Sequence, residues 1–121
     1  MTTTGPERAS QVPEPPTGLR EGGRRLWTAT VERFDLAEHE QVVLLEACRT
    51  VDLLDQLQHL VDTEGPVLPW GEGSRAHPAA VEARQHRVVL ARLVASLGIP
   101  VEDPDRTQPR GARGVYRPGA A

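Results

Sequence analysis

Arginine carries most of the chemistry this sequence could do. All fourteen basic residues are Arg, whose planar fork can grip phosphate oxygens in pairs. Arg20, Arg24 and Arg25 stand together near the start, and Arg84, Arg87 and Arg92 follow in the second half. Arg106, Arg110, Arg113 and Arg117 occupy a final stretch that has no acid. These residues, Arg92 excepted, are the candidate DNA contacts; such groups can lie along a DNA backbone in a salt-dependent way. A four-Arg terminus can equally be a solvating one, and with a net charge of −3 composition alone does not decide. Arg92, with Arg84 and Arg87, could instead pair with acids of a neighbouring helix.

The remaining candidates read as structural. Asp52, Asp55 and His59 lie at i, i+3 and i+7 of one helical face and could offer two carboxylates and an imidazole to a metal. No clear fourth ligand stands near, so the strip that also holds Gln41, Cys48 and Asp62 reads as a solvated face. Cys48 has no His at i+3 or i+4 and reads as a small interface residue rather than a nucleophile. His86 reads as a hydrogen-bonded core or interface imidazole, and His77-Pro78 as a helix start. There is no phosphate-binding loop, zinc motif or triad. One Cys excludes an internal disulfide and fits a reducing cytoplasm, and no apolar run approaches the ~20 residues that span a bilayer.

Three helical segments must position these residues. Residues 36–64 contain no Pro or Gly and predict one helix of about 29 residues, ~43 Å at 1.5 Å per residue. Asp35 and Glu38 fit a capping box, and Gly65-Pro66 ends the helix. Leu36, Val43, Ala47, Leu54, Leu57 and Val61 form one apolar stripe; Val42, Leu45, Leu53 and Leu60 form a second. Residues 78–97 form the next helix, with Ala79, Ala83, His86, Leu90, Leu93 and Leu97 at a 4-3-4-3-4 spacing. The two should fold back as an antiparallel hairpin. Residues 19–34 form a shorter helix through Leu26, Trp27, Val31 and Phe34, with its body at 24–33 because Gly22 and Gly23 each cost ~1 kcal/mol. Residues 66–76 exclude a helix and read as an extended piece with a turn, Trp70 capping the end of the hairpin.

The fold class expected is therefore all-α: a short N-terminal helix plus a long antiparallel helical hairpin over residues 18–99. Residues 1–17, with four Pro, are expected to be a disordered tail, and residues 100–121 a flexible Arg-rich one. So short a chain has little to cover the second stripe. Val42, Leu45, Leu53 and Leu60, with Val81 and Val88 seven apart on the last helix, are the expected oligomer interface.

The order of residues resembles the phage terminase small subunit family. The resemblance rests on Gly23-Arg24-Arg25-Leu26-Trp27, then Val31, Phe34 and Leu36, the run LEACRTVDLLD over 45–55, and the Gly65 break. It continues through Gly73 and His77-Pro78 to the ending LVASLGI over 93–99, about two-thirds of the chain. It implies a non-enzymatic packaging protein without a cofactor, which forms a homo-oligomeric ring in the bacterial host cytoplasm. Such a protein positions double-stranded phage DNA and delivers it to the large terminase subunit, which holds the ATPase and nuclease. The acidic long helix and the lack of a clear helix-turn-helix depart from sequence-specific base reading. A helical adaptor that touches only proteins is the alternative, and a metal enzyme using Asp52, Asp55 and His59 a third.

Overall fold

The structure, a computed structural model, describes residues 12–99 and the backbone of a short strand at 115–116. The elements run α1 Glu21–Val31, β1 Phe34–Asp35, α2 Glu38–Glu64, β2 Val67–Trp70, β3 Gly73–Ala76, α3 Pro78–Leu97 and β4 Val115–Tyr116. Helix α2 is the axis: α3 returns antiparallel along it, and α1 packs on its first half.

Helix α2 starts two residues later than the sequence suggests. Asp35 lies in β1, opposite Val115, and Leu36 and Ala37 still precede the first helical residue, so Asp35 is too far upstream to be the N-cap. The cap falls at Ala37, whose N–H donates to Glu40 Oε1 at 2.8 Å. At the other end Gly65, at φ 90°, sends its N–H back to Val61 O at 2.7 Å and releases the chain from the helix.

Residues 66–76 overturn a purely helical fold. Strands β2 and β3 pair antiparallel with Trp70 opposite Gly73, leaving Gly71-Glu72 as a two-residue turn, with Gly71 at φ 59°. His77 N–H donates to Pro66 O, which makes 66–77 a hydrogen-bonded pair. Alternation along the ladder then puts Pro69 opposite Ser74 in a non-hydrogen-bonded pair, where its missing N–H breaks no rung. Short alternating strands of this kind leave no long apolar period to detect.

His77 joins the hairpin to α3. Its Nδ1 accepts from Ala79 N–H at 2.9 Å, so Nε2 carries the proton and donates to Glu64 Oε1 at 2.7 Å. One buried ring thus caps the start of α3 and ties it to the end of α2. Pro78 at the first position and Gly98 at φ 65° bound α3 as expected.

The core lies at the three-helix end and comprises Leu19, Trp27, Val31, Leu44, Cys48 and Leu97, flanked by Val12, Leu26, Leu36, Val43, Leu45 and Ile99. Each large aliphatic side chain buried there contributes roughly 1.5–3 kcal/mol. Toward the β-hairpin only α2 and α3 remain, and buried Ala79 and Ala83 allow their backbones to approach. Residues 12–17 belong to this body rather than to a disordered tail: Val12 packs on the core, and Trp27 Nε1–H donates to Pro13 O at 3.1 Å. Residues 1–11 lie outside the described residues.

Candidate functional site

The best-built feature is the junction of α1 with α2. Arg20, at the helix N-cap, makes no side-chain cap of its own. Asp52, 32 residues away, supplies it: Oδ2 accepts from Arg20 N–H and Oδ1 from Gly23 N–H, both at 2.7 Å. One carboxylate satisfies the N-cap and third-position amides together, a task that a capping box divides between two side chains. Its negative charge also sits at the positive end of the helix dipole.

Close approach is what permits this. A Cβ on Gly23 would overlap Asp52 Oδ2 and lie 2.8 Å from Cys48 O. Gly22 and Gly23 therefore belong to the helix, which begins at Glu21, three residues before the body expected from propensity. The reading of Asp52 and Cys48 as a solvated strip is corrected here. Asp52 is buried and fully used by the backbone, and Cys48 has no exposed surface. Cys48 is a core residue rather than an interface one. Burial, then the Asp52 carboxylate, push its thiol up to about 12, against a smaller opposing effect of the Trp27 backbone N–H. The thiolate is suppressed, and with it nucleophilic chemistry.

Asp55 and His59 stay exposed one and two turns further along α2. With Arg20, Arg25, Gln56 and Leu60 they line an open groove of about 480 Å³ beside the start of α1. Among the described residues no three His, Cys, Asp or Glu side chains converge as a metal site would require.

Capping α1 by its backbone leaves its arginines to solvent. Gly23, Trp27, Thr30 and Val31 face inward, while Arg20, Arg24 and Arg25 are exposed. Arg24 Nη1 donates to Leu19 O, and Arg25 stands 3.6 Å from Glu21, both side chains exposed. On α3, Arg84 and Arg92 are exposed, whereas Arg87 donates to Gln58 Oε1 of α2 at 2.6 Å and serves the hairpin. Arg106, Arg110, Arg113 and Arg117 lie outside the described residues, although β4 between them pairs with β1 (Phe34 opposite Tyr116).

The second apolar stripe is divided. Val42, Leu53 and Leu60 are exposed, as is Val88 on α3; Leu45 and Val81 are half-buried, Leu45 against the core. Trp70 does not cap the helical hairpin. It is 63% exposed, held by the guanidinium of Arg75 at 4.4 Å from its ring centroid. His86 is half-buried and hydrogen-bonded within α3 to Glu82 O.

Sequence reasoning missed the Asp52 cap. The available signal was the Gly22-Gly23 pair inside a helical period, which marks a close backbone approach. Comparison with models of known families, with curated proteins and with solved structures produced no match.

Proposed function

We propose that the chain is a small terminase subunit of a phage or prophage packaging motor: a DNA-binding, self-associating helical protein that recruits or regulates the large ATPase and nuclease subunit. The observation that carries the DNA contact is the exposed trio Arg20, Arg24 and Arg25, held at one end of a helix whose backbone Asp52 has already capped. The motif residues of the resemblance also have defined positions. Gly23 sets the α1–α2 approach, Trp27 and Val31 fill the core, and His77-Pro78 starts α3. Self-association is supported by Val42, Leu53, Leu60 and Val88, apolar side chains open to solvent.

Filter binding of the full-length oligomer to duplex DNA tests the reading. Affinity should fall steeply between 50 and 200 mM salt, the ~10³-fold scale of six or more phosphate contacts, and weaken on deleting residues 106–121. Absent or salt-insensitive binding sinks it. A protein-only adaptor is the second reading, favoured by the exposed Trp70–Arg75 stack and by an α2 with seven acids against Arg49. An oligomer without DNA affinity would select that one.

A further inference from the structure

One ring at His77 is shared by two helices. Helix α2 ends at Glu64, and the chain returns through the β2–β3 hairpin to His77 at the start of α3. The residue is only 7% exposed. Its two ring nitrogens serve different helices: Nδ1 accepts from Ala79 N–H at 2.9 Å, and Nε2 donates to Glu64 Oε1 at 2.7 Å. The backbone N–H of the same residue closes the hairpin on Pro66 O at 2.8 Å.

This double engagement requires a neutral ring, because an imidazolium has two N–H donors and no acceptor. A proton added at Nδ1 would point at the Ala79 N–H, donor against donor, and the ring would lose its cap on α3. The new charge would also stand at the positive end of the α3 dipole. The bond to Glu64 changes in the opposite sense and becomes a charge-assisted pair at the end of α2. One proton therefore turns a ring that serves both helices into one that serves α2 alone.

The other charged side chains of the elements meeting here are engaged elsewhere or lie in solvent. Asp62 of α2 accepts from Gln58, Arg75 of β3 stacks on Trp70, and Glu82 of α3 stands 3.7 Å from His86. Glu72 in the hairpin turn and Arg84 on α3 are exposed. Among the described residues, Glu64 is the charged group bonded to His77.

We propose that His77 is an acid-sensitive joint: protonation of its ring uncaps α3 and frays the first turn of that helix, while Glu64 keeps the ring on α2. The β2–β3 arm with its exposed Trp70 hangs between Gly65, at φ 90°, and this residue, so the state of the ring sets how firmly the arm is anchored. The device is independent of the DNA contact and of the self-association proposed above.

Nuclear magnetic resonance of the isotope-labelled full chain tests it, over a range from about pH 8 to about pH 5 that spans the ordinary titration of histidine. At the upper end the His77 ring should show the Nε2–H tautomer. As the ring charges, the Ala79 amide, referred to its intrinsic exchange rate at each pH, should lose roughly fivefold in protection, the scale of one lost cap. Amides of α1 should keep theirs. His77→Asn retains an acceptor and cannot charge, so its Ala79 protection should stay level across the range, with circular dichroism to confirm its helix content. A ring that charges while Ala79 protection is unchanged overturns the proposal, and so does a ring that stays neutral throughout. Parallel loss in α1, or an equal loss in His77→Asn, overturns it as well, because the proton would then act elsewhere. The wild-type titration decides by itself if the variant does not fold.

Discussion

Gly23 has no room for a side chain, and that outweighs its helix propensity. Propensity alone makes Gly23→Ala a gain of ~1 kcal/mol. The added Cβ would meet Cys48 O, a backbone atom fixed in α2, at 2.8 Å, and the Asp52 carboxylate cannot withdraw without losing the cap. Gly23→Ala should therefore lower stability by about 2 kcal/mol in urea titration. Gly22→Ala meets Asp55 Oδ2 at 2.7 Å and Val51 Cγ1 at 3.0 Å; Asp55 is exposed and can rotate away, so the loss should be clearly smaller. Equal losses would refute the assignment of the close contact to Gly23. Cys48 gives a prediction in pH. Its thiol is raised from 9.0 to about 12, so between these values the unfolded chain sheds a proton that the folded chain keeps. Stability should fall as pH rises through that window, by up to about 1.4 kcal/mol per unit, and should be indifferent to this group below it. Cys48→Ala should flatten the slope, and a persisting slope would assign it to another group.

At the scale of elements, two caps determine how the helices join. Asp52→Ala leaves the Arg20 and Gly23 amides without their acceptor and should cost about 1–3 kcal/mol. The effect should be local first: amide exchange should accelerate in α1 more than in α3. Uniform acceleration would mean that α1 and α3 unfold as one unit and that the cap is not a separable junction. His77 works in the same way for α3. His77→Ala removes the Ala79 cap and the link to Glu64, and about 1 kcal/mol should be lost by chemical denaturation. His77→Asn, which can still cap, should recover part of it.

Across the whole molecule, the packed core and the exposed chemistry are separated. Leu44, Cys48, Trp27 and Leu97 hold the three-helix end, while Arg20, Arg24 and Arg25 extend from its surface. Replacing these three arginines together by Gln should weaken duplex DNA binding and reduce the magnitude of its salt slope by up to about three. The melting temperature should fall by less than about 10 °C, because surface changes of this kind alter stability by ~0.5 kcal/mol or less each, and Arg24 gives up only its bond to Leu19 O. A large drop in melting temperature would show that the trio is structural.

The sequence by itself determined the three helices, their order and three of their six ends. Unbroken apolar periods, Pro78 at a helix start and Gly65 and Gly98 at helix ends act locally, so neighbouring residues suffice to read them. It also marked Val42, Leu53 and Leu60 as apolar positions with nothing assigned to cover them. Tertiary structure alone decided the role of Asp52. Its amide partners lie 32 and 29 residues away, and a wheel drawn on α2 shows only a polar residue on a polar strip. The same holds for Gly23, whose cost in an isolated helix becomes the condition for packing two backbones. The β-hairpin was hidden because its strands are four residues each, too short for a period, and its register depends on partners across the turn.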